Sequence, residues 1–167
     1  YTDGSIYDNG TTDARAGAGV WYGEGDERNI TVRLPGPHQT NNMAEIWVVL
    51  EQVLAAACNK IMITVSDSKY VIEGLCFHLK IWEDSGWVGI LNSDLWKATA
   101  VILRQHGAPI YFQWTKGHSG DIRNEGADSL AGEGAQLSAG DATQADTEIN
   151  HEFDITGARL SILTQSL

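Results

Sequence analysis

At 167 residues, with 43% hydrophobic and 20% charged side chains, the chain has the length and composition of one globular domain able to bury a sizeable core. No apolar run approaches the ~18–20 residues of a membrane-spanning helix and no signal-peptide pattern opens the chain, so no membrane association is expected. A net charge of −11 argues against a nucleic acid partner, yet residues 1–132 carry ten Lys/Arg against sixteen Asp/Glu while residues 133–167 carry one Arg against six acids, so the deficit is concentrated at the end.

In chain order, Thr2-Asp3-Gly4-Ser5 places an acid just after the start of a first strand. Residues 16–22 and 28–33 read as the next two strands, joined by a turn over Gly23 to Glu27, which makes an antiparallel meander. Asn42 to Cys58 is predicted to be a helix, because Met43, Ile46, Trp47, Leu50, Val53, Leu54 and Ala57 recur at three- and four-residue spacing, with Asn41 or Asn42 as cap. Ile61 to Val65 is a short apolar run, read as a buried parallel strand that leads into Asp67. A short helix over Ser68 to Leu75 and a loop-rich stretch over 76–92 follow. Ser93 to His106 reads as a helix capped by Ser93 or Asp94, Ile110 to Trp114 as the last strand, and about Asn124 to Leu137 as the last helix. Cys58 and Cys76 are too few for a disulfide framework, and Cys58, ending an apolar helical stretch, is expected to be a free buried thiol in a reducing, intracellular compartment. The order βββαβαβα predicts an α/β mixed five-stranded sheet with helices on both faces.

Two units are expected, a domain over 1–137 and an extension over 138–167. The extension begins as a polar linker, and Phe153, Ile155, Leu160, Ile162 and Leu163 could dock on the domain or stay disordered. The absence of an initiator Met, with Asp3 so near the start, is read as a sign of an excised domain or processed fragment.

Four carboxylates stand out, each in its own segment: Asp3, Glu45 in Thr40-Asn41-Asn42-Met43-Ala44-Glu45, Asp67 in Ser66-Asp67-Ser68-Lys69-Tyr70-Val71, and Asp128 in Asn124-Glu125-Gly126-Ala127-Asp128. Trp114-Thr115-Lys116-Gly117-His118-Ser119-Gly120 lies between the last two. Singly each has an ordinary explanation: Asp-Gly is a turn dipeptide, Asp67-Ser68 a helix cap, Glu45 an acid near a helix start, Asp128 a solvated acid. Together, carboxylates that converge repel one another unless divalent cations sit between them. In their order, spacing and flanks, the five segments resemble ribonuclease H, type 1, over roughly residues 1–137.

That resemblance implies a ribonuclease H-like fold and a metal-dependent endonuclease that cuts the RNA strand of RNA–DNA hybrids, leaving 5′-phosphate and 3′-hydroxyl ends. It implies two Mg²⁺ ions, with Mn²⁺ able to substitute, held by Asp3, Glu45, Asp67 and Asp128, where Asp3 bridges, Glu45 and Asp67 serve the leaving-group side and Asp128 the nucleophile side. His118 is the proton-transfer or product-release helper, the last of five catalytic positions. Substrate contacts fall to Asn41 and Asn42 in the minor groove, where amides can read 2′-hydroxyls, to Ser5 and Ser68, to Thr40 at a DNA-phosphate pocket, and to Trp82 on a DNA sugar. No organic cofactor motif is present. The sequence departs from the family at His38, at Met43, and over Glu83 to Trp87, where an acidic loop replaces a basic, substrate-gripping protrusion; affinity, not catalysis, is what these changes touch. A monomer is expected, joined to a reverse transcriptase or another domain of a larger parent chain, or acting as a stand-alone enzyme. The rival from a different class is a catalytically silent module of the same fold that binds or braces a partner; an intact set of four carboxylates speaks against it.

Overall fold

The computed structural model describes residues 1–138. Its elements are β1 (Thr2–Tyr7), β2 (Arg15–Val20), β3 (Ile30–Arg33), α1 (Asn41–Ala55), β4 (Met62–Ser66), α2 (Lys69–Glu73), a π-helical turn (Gly74–His78), α3 (Leu79–Asp84), α4 (Ser93–Gln105), β5 (Ile110–Trp114) and α5 (Ile122–Gln136). The strands lie in the order β3-β2-β1-β4-β5, antiparallel within the meander and parallel where β4 joins β1 and β5. The mixed five-stranded sheet is therefore present as predicted. What was expected of the segment after Ser138 lies outside the described residues.

Alternation along the strands assigns the helices to faces. Gly17 and Gly19 point one way, and a methyl on either would overlap the backbone of α5 around Ala127, Ala131 and Ala135. Gly4, paired with Ala18, points the other way, where an added Cβ would come within 2.7 Å of the Glu45 amide nitrogen on α1. Glycine at these positions lets both helices lie directly on the meander. Ala16, Ala18, Val20, Ile46, Val49 and Trp96 fill the core on the α1 and α4 side with almost no exposure, each large aliphatic contributing about 1.5–3 kcal/mol of burial.

Several local expectations change. The segment 76–84 is helical: the π turn and α3 carry Leu75, Leu79 and Trp82 onto the core, and Gly74 allows the Trp96 ring to approach. Glu83 and Asp84 accordingly do not form an acidic loop. Both are buried, at 6% and 8% exposure, with Arg104 Nη1 2.6 Å from Glu83 Oε1 and Lys80 Nζ 2.9 Å from Asp84 Oδ2. The cap of α1 is Thr40, whose Oγ1 accepts from the Met43 N–H at 3.2 Å, and neither Asn41 nor Asn42. Ahead of α4, Asn92 takes a left-handed conformation (φ 58°) with no side-chain cap, in place of capping by Ser93 or Asp94. Since α1 ends at Ala55, Cys58 stands beyond it and is exposed. Strands β2 and β3 are shorter than expected because Asn29 takes over their ends, accepting from Tyr22 N–H and donating to Gly23 O, both at 2.8 Å. β4 is open on one face only at its start: α5 covers β1 to β3, leaving Ile63 and its cross-strand partner Tyr111 exposed at 61% and 56%, while Val65, further along the same face, is buried.

Candidate active site

Strand register brings the first pair of acids together. Thr2 is the parallel partner of Ser66, so Asp3 and Asp67, the next residue along each chain segment, arrive side by side. Glu45 is presented from the second turn of α1, whose start is fixed by the Thr40 cap and whose approach depends on Gly4. Asp128 is presented from α5, which begins at the cap residue Asp121, whose carboxylate accepts from Arg123 N–H at 3.0 Å. Asp3, Glu45 and Asp67 each offer an oxygen, and these lie within 4.8 Å of one another. Asp128 and His118 join them around a hollow of about 290 Å³ that Ser5 and Asn41 also line.

Burial and mutual repulsion dominate the electrostatics. Asp3, 6% exposed, has its pKa raised to about 7, first by loss of hydration and then by the charges of Asp67 and Asp128; the Gly4 N–H, 2.8 Å from its Oδ1, pulls the other way. Glu45 is pushed well above the ordinary carboxylate range by burial, then by Asp3 and Asp67, against weaker help from Asn41 and Gly4. Asn41 Nδ2 reaches Glu45 Oε1 at 3.5 Å, while Oε2 is buried with no hydrogen-bond partner among the described residues. An orphaned carboxylate oxygen among mutually repelling acids is the donor set a hard divalent cation satisfies, so the residues fit Mg²⁺ or Mn²⁺.

Of the other candidates, His118 is exposed on the loop after β5, itself in the left-handed region (φ 47°), and that loop is tied by Ser119 Oγ donating to Lys116 O at 2.7 Å. Ser5 and Asn41 are half-buried at the hollow. Asn42 and Thr40 are exposed beside it, and Ser68 caps α2, its Oγ accepting from Val71 N–H at 3.4 Å. Trp82 lies in an aromatic cluster, stacked on His78 and tilted against Trp87 and Trp96, with ring centroids 5.6, 6.1 and 5.2 Å away. Neither Trp82 nor Ser68 lines the hollow. A second concavity of about 540 Å³ is lined by His38, Met43 and Asn92 among others. Asn92 takes the left-handed conformation there, which Asn tolerates better than most residues. The sequence reading passed over Asn124, whose Nδ2 donates to Asp67 Oδ2 at 3.1 Å; it stands one helical turn before Asp128, on the same face.

The family model for RNase H matches residues 1–136. The chain is similar to Ribonuclease H1 of Rattus norvegicus, 37% identical over 145 residues, covering 84% of this chain and 50% of that protein. It thus spans about half the length of the mammalian relatives it matches. Among solved structures it resembles LC9-RNase H1, a type 1 RNase H with the type 2 active-site motif, at TM-score 0.64 and 28% identity over 86% of this chain and 72% of the other. It also resembles the foamy viral protease–reverse transcriptase in complex with double-stranded DNA, at TM-score 0.66 and 26% identity over 81% of this chain and 92% of that one.

Proposed function

The chain belongs to the RNase H family, and on that premise we propose that it is an endonuclease hydrolysing the RNA strand of RNA–DNA hybrids. The observation that supports this reading most is the meeting of carboxylates from β1, α1, the end of β4 and α5 around one open hollow. Asp3, Glu45, Asp67 and Asp128 would hold the divalent ions on which the family depends, Mg²⁺ first and Mn²⁺ as substitute. When bound, such ions activate a water and neutralise the charge that builds on the scissile phosphate.

The protein's own contributions surround that step. Burial of Asp3 and Glu45 keeps water from competing for their oxygens. Gly4 N–H fixes the Asp3 carboxylate and Asn41 the Glu45 carboxylate, so both are oriented before substrate arrives. His118, on an exposed loop at the rim, relays a proton at an imidazole nitrogen between the hollow and solvent. Asn41 and Asn42, at the start of α1, offer amide groups to the 2′-hydroxyls of an A-form-like minor groove, and Ser5 a hydroxyl. Product ends would be 5′-phosphate and 3′-hydroxyl. The 50% of the rat relative outside the match supports a domain that works beside another in a parent chain, a reverse transcriptase being one candidate.

The test is a gel assay with end-labelled RNA–DNA hybrid, duplex RNA and duplex DNA in Mg²⁺. Hybrid should be cut far faster than duplex RNA, and duplex DNA left intact. Equal cutting of hybrid and duplex DNA would defeat the proposal in favour of a general nuclease.

A further inference from the structure

Asn124 is 2% exposed on the first turn of α5, where its Nδ2 donates to Asp67 Oδ2 while its Oδ1 has no hydrogen-bond partner among the described residues. The orientation follows from charge: turned over, the amide would set Oδ1 against a carboxylate oxygen with no proton between them. A buried amide with an unpaired carbonyl costs roughly 1–3 kcal/mol, so packing alone does not account for it. Gly117 closes on the same oxygen from the His118 loop. A methyl there would overlap Asp67 Oδ2 and stand 3.1 Å from Asp67 Cγ, so any larger residue would push the carboxylate out of this position. A third tie, Trp114 Nε1 donating to Asp67 O at 3.0 Å, holds the backbone of this residue. By contrast Asp67 is only half-buried at the end of its strand, where an unrestrained carboxylate would sample several rotamers.

We propose that Asn124 and Gly117 clamp Oδ2 of Asp67 and so fix this carboxylate in the orientation that receives a divalent cation. Asn124 is then a positioning residue, and the inference rests on the reading of the acidic site given above. The clamp also ties the proton-carrying loop to the metal-holding strand, since Gly117 precedes His118 directly.

Mg²⁺ titration calorimetry of the full chain, with a melting curve for each variant, tests it. Asn124→Ala should stay folded and bind Mg²⁺ roughly ten- to a hundredfold more weakly, the scale of losing an outer partner of a metal ligand. Turnover of hybrid should fall while KM stays unchanged, a split that a merely structural role would not produce. Gly117→Ala, on a loop outside the core, should weaken Mg²⁺ binding likewise, and it decides the matter if Asn124→Ala does not fold. Wild-type Mg²⁺ affinity in the folded variant overturns the clamp. Asp67→Asn, titrated alongside, keeps the two ideas apart: it should lose Mg²⁺ binding whether or not the clamp exists, and normal binding there would count against the acidic site itself.

Discussion

Asp3 carries the sharpest consequence at the scale of single residues. Its carboxyl titrates at about 7 in the fold against 3.8 in an unperturbed aspartate, chiefly through burial and then through Asp67 and Asp128. Between those values the folded chain keeps a proton that the unfolded chain has released. The unfolded state then binds fewer protons, and stability without metal must fall as pH rises across the window. Asp3→Asn removes both the repulsion and the titration. Without metal at pH 7.5 this variant should be more stable than the parent by about 1–3 kcal/mol, or roughly 3–10 °C in Tm, and the gap should narrow at pH 4.5. Mg²⁺ should raise the Tm of the parent at pH 7.5 and do little for Asp3→Asn. A parent Tm that climbs steadily from pH 4.5 to 7.5 without metal would contradict this electrostatic account. The acids themselves were legible in the sequence because each sits in a short signature whose chemistry is a charge. Asn124 was not, because its importance lies in a contact between residues 57 apart, which no local pattern reports.

At the scale of elements, the stretch from Lys69 to Asp84 was the least legible. Leu75, Leu79 and Trp82 do recur at helical spacing, but Gly74 and the charged Lys80, Glu83 and Asp84 interrupt the pattern. The π turn shifts the phase there, so a strict 3.6-residue template misaligns the two apolar patches. Tertiary packing decides the outcome, since Gly74 and Trp82 both meet the Trp96 ring on α4. Glu83 belongs to that packing: its pair with Arg104 joins α3 to α4. Removing it strands a guanidinium that is one-third exposed. Glu83→Ala should therefore destabilise the fold by about 1–3 kcal/mol, below the cost of breaking a wholly buried pair because solvent screens the survivor. Urea unfolding measures this, and KM for hybrid should not move. A lowered KM with unchanged stability would return Glu83 to the substrate-facing loop that the sequence suggested. The helices and strands that were legible, α1 and the meander above all, are those whose apolar period runs unbroken.

For the whole molecule, the balance of charge would set how a hybrid is held under the proposed function. Of the cations in the domain, Lys80, Lys97 and Arg123 are paired with Asp84, Asp94 and Asp121 at 2.9, 3.3 and 2.9 Å, and Lys69 stands over the Trp114 ring. Surface pairs of this kind are weak and can reopen toward a phosphate, but each exchange forfeits an existing partner. We expect the equivalent of only two to four phosphate contacts, hence a logarithmic salt slope of about −2 to −4 at roughly 0.9 per contact. Fluorescence anisotropy of labelled hybrid with the Asp67→Asn variant, across a series of KCl concentrations, gives that slope. A value steeper than about −6 would mean a basic surface that this charge distribution does not offer.

The claim on which the rest depends is that the converging carboxylates carry out hydrolysis of the RNA strand. Single-turnover cleavage of a 5′-labelled RNA–DNA hybrid in Mg²⁺, by the parent chain and by Asp67→Asn, tests it most directly. The substitution keeps the shape of the side chain and removes a charge that, on the proposed function, would hold metal beside Asp3. The parent should release fragments with 3′-hydroxyl ends. The variant, with its melting curve intact, should be slower by about a thousandfold or more, the several kcal/mol that metal positioning supplies. Near-parental cleavage by a folded Asp67→Asn, with the same product ends, would contradict the account at its centre.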